Sequence, residues 1–411
     1  MTALPPVTPD ALQEEFFLTD AARLRRWLPW LHLPAILRLA FDPRKLILSL
    51  MALVLLGIPS LIRQKFDAQS HTVPLPWSPE GLFHPSSRSL PGTEQIFANP
   101  AVILQESILQ GPAVLTPVHN VYGQGQQILG PRFRWGRTSL RMLELLWTWA
   151  VWAVLGTLLC RLAALDFLGR DTGWGEAWRY CRSRFLSAFS APLLPLIGII
   201  GLWLPCVVAG GLTRIAGLGE PLVAAAWPIV WMCGGGLTLM LFGLTICWPL
   251  MIATVSIEGT DAFDGLSRSY NYLFSRPWYL LWMVCFAIGL CGGGMFAVRW
   301  LAASAETLAL QSFDAGASDA VVERFAGVSQ TSAGGPPLVK LWRQVFRLGT
   351  NALAHSLFWS SVTVIFLLLR KSVDSTPLDQ LGAERRLTGN ELPLVGIPAA
   401  ERRQSTSRPT P

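Results

Sequence analysis

The chain has 411 residues, 51% of them hydrophobic and 14% charged, with a formal net charge of +7. A soluble domain carries about 25% charged residues, so this composition excludes an ordinary water-soluble globule and points to a membrane. The positive charge comes without a basic helix, an aromatic binding strand or a zinc-ligand pattern, which excludes nucleic acid and leaves membrane lipids as the expected partner of the basic residues.

Uncharged, mostly apolar runs cover 46–62, 145–160, 191–213, 221–257, 277–298 and 348–369. A run of about 18 or more such residues crosses hydrocarbon roughly 30 Å thick as a helix. The first two runs are slightly short, and the flanking Arg63, Arg141 and Arg161 can snorkel to extend them. The expected class is an all-α membrane protein with about six transmembrane helices and two cytoplasmic interfacial amphipathic elbow helices.

Residues 1–45 form a cytoplasmic N-terminal segment whose polar lead is too long for a cleavable signal, so 46–62 is expected as an uncleaved signal anchor. Within 11–40, Phe16, Phe17, Leu24, Trp27, Leu28 and Leu31 can form an amphipathic surface helix, interrupted at Pro29 and Pro34. An extracytoplasmic loop over 63–140 follows. Its His71, His84 and His119 are far apart and suggest surface positions rather than a metal site, and Gly123-Gln124-Gly125 suggests a turn. Within that loop, 100–118 is apolar enough to touch the membrane surface or cover the bundle.

A repeat-containing bundle spans 141–370, and a largely disordered cytoplasmic tail spans 371–411. The 161–190 loop carries five Arg and the tail opens with Arg370 and Lys371, which places both on the inner side of a bacterial cytoplasmic membrane, as are both termini. Arg132, Arg134, Arg137 and Arg141 oppose that bias. The segment 299–347 is expected as an outer loop. Trp147, Trp149, Trp227, Trp231 and Trp300 suggest an outer aromatic belt, and Trp174, Trp178, Trp248, Trp278 and Trp282 an inner one.

The run 221–257 has 37 residues, too long for one crossing. One reading is a hairpin turning at Gly234-Gly235-Gly236. The favoured reading is an interfacial segment, 221–232, broken near Pro228 and followed by one span over about 233–255.

Two segments align at an offset of 85 residues: GEAWRYCRSRFLSAFSAP at 175–192 and TDAFDGLSRSYNYLFSRP at 260–277. In each, large apolar residues recur at helical spacing: Trp178, Cys181, Phe185 and Phe189 in one, Phe263, Leu266, Tyr270 and Phe274 in the other. Each is expected as an elbow helix lying flat in the inner interface, its apolar face toward lipid and its Arg toward phosphates. Thr260 is the expected N-cap, and Pro192 and Pro277 fall near the first turn of the next span. A partial third copy follows the last span, with Glu258 matching Asp374 and Thr376-Pro377-Leu378-Asp379 reading as a helix start.

CGGG occurs twice, and Gly234, Gly235, Gly236, Gly289, Gly292, Gly293 and Gly294 suggest close packing of two antiparallel helices. The 258–282 stretch, EGTDAFDGLSRSYNYLFSRPWYLLW, resembles a repeat in uncharacterised bacterial multi-pass families. Those families are similar in style to the membrane domain attached to some glycerophosphodiester phosphodiesterases. The resemblance covers about 145–300 plus the last span and implies membrane architecture. The soluble barrel of those enzymes is absent, so no catalytic residue carries over.

No phosphate-binding loop, HExxH or GxSxG motif is present, and the seven Cys show no metal-ligand or disulfide spacing. No catalytic residue, metal or cofactor is expected. The single ionisable candidate within a span is His355, with Asn351 one turn before it on the same face. The leading expectation is a non-enzymatic structural or assembly component. The alternative is a permease or transport component for a small or lipidic solute, built on the two repeats. Protein partners and homo-oligomerisation stay open.

Overall fold

A computed structural model describes residues 28–66, 115–129, 135–170, 172–215, 217–318, 321–322, 325, 336–376 and 378. The helices are α1 (Ala35–Ala40), α2 (Pro43–Phe66), α3 (Thr116–Leu129), α4 (Trp135–Phe167), α5 (Trp174–Ser190), α6 (Leu194–Leu212), α7 (Gly219–Ala225), α8 (Trp227–Glu258), α9 (Ala262–Ser275), α10 (Pro277–Asp314) and α11 (Pro337–Val373). Among the described residues there is no strand, as expected for an all-α membrane protein.

Five helical runs are long and apolar enough to cross a membrane: Thr138–Phe167, Trp174–Leu212, Trp227–Glu258, Pro277–Asp314 and Pro337–Val373. The expected span at 46–62 is helical as α2, and its described side chains end at Pro59, so it does not stand among the five.

The helices are longer than the apolar runs that nucleate them. α8 is one unbroken helix of 32 residues, about 48 Å at 1.5 Å per residue, with Pro228 in its first turn. Gly234-Gly235-Gly236 therefore sits inside a helix, which removes the hairpin reading, while the expected break near Pro228 falls at Ala226, between α7 and α8. The expected outer loop at 299–347 is largely helical too. α10 runs on to Asp314 and α11 begins at Pro337, and Arg299 is buried within α10. The two helices pair antiparallel: Cys291 Sγ lies 3.3 Å from Ser361 Oγ, and Arg343 Nε donates to Glu306 Oε1 at 2.7 Å. Gly125, expected in a turn, is helical in α3, where Gln124 donates to Thr148 Oγ1 of α4 at 3.2 Å.

α11 is the axis of the bundle. Every residue of its most apolar 18-residue stretch is buried, against 11% of the corresponding stretch in the α5–α6 run. α2, α4 and α8 surround it, and α1 is wedged in beside them. Leu33, Ile36, Leu39 and Ala40 are fully buried, and Ser356 of α11 donates to the Ala40 carbonyl at 2.8 Å. The segment after Pro29 is thus a core piece rather than part of a surface helix. The rest of that expected helix, up to Trp27, lies outside the described residues. Some buried hydroxyls bond back to their own helix, as Thr157 to Ala153 and Thr363 to Trp359, which satisfies them away from water.

Both aligned segments are helical, but neither lies flat across the end of the bundle. Arg161 of α4 stacks over the Tyr180 ring of α5, and Ala153 packs with Ala188. Residue numbers falling on one helix as they rise on the other mean that α5 folds back antiparallel along α4. α9 does the same along α8, with Gly265 near Val255, the Ser269 carbonyl 3.6 Å from Cys247 Sγ, and Tyr270 near Gly243. The reversal is set locally. Gly259 takes φ +65° and closes α8 with its N–H on Val255 O, a conformation that favours glycine. The α9 N-cap is Asp261, not Thr260: its carboxylate accepts from Asp264 N at 2.9 Å, while Thr260 is buried.

Folding back also changes which face of each short helix is inward. On α5 small residues meet the bundle, namely Ala177, Cys181 and Ala188, and on α9 Gly265 and Ser269 are buried together with Tyr272 and Leu273. Trp178, Phe263 and Phe274 point away, as expected of a lipid-facing stripe, but Cys181 leaves that stripe for the core. The reason is approach distance: a Cβ on Gly265 would already stand 3.1 Å from Val255 Cγ2.

The tight glycines are mostly not those of the CGGG repeats. A Cβ at Gly234, Gly235, Gly289, Gly292 or Gly293 meets nothing within 4 Å. Only Gly236, against Leu202, and Gly294, against Leu37, approach a neighbour. A Cβ on Gly156 would stand 2.8 Å from the Trp359 ring, and one on Gly243 2.8 Å from the Tyr270 ring. Gly293→Leu is accordingly expected to leave the folded yield and melting temperature of the purified protein unchanged, whereas Gly156→Leu abolishes folded protein. A loss of folded yield for Gly293→Leu would show a helix contact that this packing lacks.

Candidate functional site

The candidate polar pair lies in the middle of α11. His355 and Asn351 are both buried and share a face, one turn apart. They are joined through the backbone, His355 Nδ1 donating to the Asn351 carbonyl at 2.9 Å. The imidazole lies flat on Trp152 of α4, centroids 5.6 Å apart at 16°. Trp152 is 5.2 Å from Trp359, which meets Trp248 of α8 edge-on at 5.7 Å. Three indoles and an imidazole thus fill the space between α4, α8 and α11.

None of the three indole N–H groups, nor His355 Nε2, has a hydrogen-bond partner among the described residues. An aromatic ring buries about 150–250 Å² and packs edge-on or offset, so the layer gains contact while leaving its polar edges unmatched. Trp149 and Trp248 were expected in the outer and inner belts. Both are buried in the core, whereas Trp174, Trp178, Trp227, Trp231, Trp278 and Trp282 are exposed as a belt requires.

A second polar layer closes the bundle where α4, α8 and α11 end, and the sequence reading did not anticipate it. Lys45 is 1% exposed and pairs with Asp166 Oδ2 at 2.5 Å while donating to the Leu39 carbonyl at 2.8 Å. Glu258 accepts from Arg370 at 2.9 Å on one oxygen and from Arg268 at 3.4 Å on the other. Arg370 is itself 1% exposed. Tyr272 of α9, fully buried, donates to Asp374 Oδ2 at 2.5 Å. Burial and the neighbouring Asp374 carboxylate hold that phenol well above the ordinary tyrosine range, so it stays a donor.

His355 is therefore not the only buried ionisable group. Lys45, Glu144, Arg299 and Arg370 are buried as well. The available signal was positional: Glu258 and Arg370 each stand where an apolar run meets its first charge, and Glu258 and Asp374 are matched positions of the partial repeat. The helix start expected at Thr376 falls largely outside the described residues.

No cluster of three or more His, Cys, Asp or Glu side chains with metal-binding spacing exists among the described residues. The carboxylates of the ionic layer are engaged by cations or a phenol. His71 and His84 lie outside the described residues, and His119 lies in α3. No family model, no curated protein and no solved structure matches this chain.

Proposed function

We propose that this chain is a non-enzymatic, multi-pass structural or assembly component of a bacterial cytoplasmic membrane, with its ionic layer and both termini on the cytoplasmic side. In this reading α4–α5–α6 and α8–α9–α10 are two copies of one unit: a long helix, a short helix folded back on it, and the next span. The observation that carries the reading is the filling of the centre. A carrier built on two repeats places its substrate near mid-membrane between them. Here that position is occupied by Trp152, Trp248, Trp359 and His355, all buried. Rigid ionic pairs at one end and apolar faces on α6 and α10 suit a scaffold that is fixed within and open to lipid without.

Native cysteines supply the test. Cys247 and Cys291 are buried beside the central helix. In sealed vesicles, a small hydrophilic thiol reagent is expected to leave both unmodified under native conditions, by mass spectrometry of the digested protein, and to modify both after denaturation. An Arg214→Cys variant, at an exposed position, reports that the reagent is active. Native modification of Cys247 or Cys291 would reveal a water path through the bundle and replace this reading with transport.

A further inference from the structure

We propose that the notch between the start of α10, the end of α11 and the turn at Pro29 binds the phosphate of an anionic phospholipid. It is a surface cavity of about 330 Å³ lined by Pro29, Arg276, Tyr279, Leu368, Lys371 and Ser372. That volume is at the lower end of small-molecule pockets, about 300–1,000 Å³.

Its charge is uncompensated. The neighbouring carboxylates are already committed, Glu258 to Arg370 and Arg268, and Asp374 to the Tyr272 hydroxyl. Arg276 and Lys371 have no ion-pair partner among the described residues, and no acidic side chain lines the cavity. Two cations, the Ser372 and Tyr279 hydroxyls and one apolar wall suit a monoanionic phosphodiester attached to a hydrophobic body.

The depth is that of a headgroup. Arg276 immediately precedes the apolar run of α10, and Lys371 follows that of α11. α10 begins with Pro277 and carries no side-chain cap, so the positive end of its dipole lies at the level of Arg276. A lane for the acyl chains continues from the notch. Trp278 is 80% and Trp282 52% exposed along α10, next to Leu281. Trp30 packs edge-on against Trp282 at 6.4 Å and against Phe286 at 5.6 Å, which holds the Pro29 turn in place as the third wall. Basic notches between spans at the membrane surface suit acidic headgroups for these reasons.

The proposal does not depend on the scaffold reading, since a transporter can carry the same lipid. Native mass spectrometry of the full-length detergent-solubilised protein, titrated with phosphatidylglycerol or phosphatidylcholine, tests it. Wild-type protein is expected to retain phosphatidylglycerol preferentially. Each juxtamembrane cation contributes about fivefold, so Arg276→Gln/Lys371→Gln should weaken retention about thirtyfold, and phosphatidylcholine binding should not change. Arg276→Lys/Lys371→Arg should keep the preference, and Lys371→Gln alone should show an intermediate loss should the double variant not fold. Equal phosphatidylglycerol retention by wild type and the neutral variants overturns the proposal. Displacement of the lipid by millimolar inorganic phosphate also overturns it, in favour of a site for free anions.

Discussion

Glu258→Gln is expected to destabilise the protein by up to about 3–5 kcal/mol, because it removes the carboxylate that pairs with the buried Arg370. Arg370 is 1% exposed, and Glu258 Oε1 is its close carboxylate at 2.9 Å. The same carboxylate holds Arg268 of α9 at 3.4 Å, so one substitution loosens the end of α8, the end of α11 and the folded-back helix together. Thermal unfolding of the detergent-solubilised protein, followed by tryptophan fluorescence, is the measurement. Glu258→Gln/Arg370→Met should recover most of the loss, because it removes the stranded charge along with its partner. A single variant melting with the wild type would mean that water reaches Arg370 and that the layer is not closed.

Trp359→Ala is expected to produce a loss of similar size, about 3–5 kcal/mol, by opening a cavity at the centre of the bundle. The ring stands between Trp152 and Trp248 and closes onto Gly156. In a membrane the driving force is not transfer from water, since lipid tails are as apolar as the core. It is the loss of close contacts that a void cannot replace. Trp359→Phe should retain most of the stability, because the indole N–H has no partner among the described residues and deleting it removes no hydrogen bond. Should the Phe variant be as damaged as the Ala variant, the N–H is held by a water or another group, and the aromatic layer is wet.

The all-helical class and its membrane character were legible in the residues themselves, whereas the extent of helix was not, since α10 and α11 run on into the expected outer loop. Apolar runs ending in Arg or Lys have few physical outcomes, since an unpaired backbone in hydrocarbon is excluded. The aligned segments at 175–192 and 260–277 were legible as helices for the same local reason: their periodicity is independent of what they touch. Pro277 at the first turn of α10 is likewise written in adjacent residues, whereas the α9 cap falls on Asp261 and not on the expected Thr260.

Direction and depth were decided only by the tertiary structure. Periodicity says that Cys181 and Trp178 lie near one face, but approach distance decides that the small residue goes inward and the large one outward. Nothing in the CGGG repeats distinguishes a glycine that meets a helix from one that faces lipid, because hydrocarbon and a packed core select the same apolar composition. Thus Gly293 has open space while Gly156, in no motif, touches Trp359.

The charged layer shows the same division. The sequence by itself determined that Glu258 and Arg370 end two apolar runs, since a charge is expensive inside hydrocarbon. That they end at the same level, 2.9 Å apart, follows from how α8 and α11 pack. Coulomb attraction acts across space, over 112 residues of intervening chain here, and local sequence carries no record of that distance.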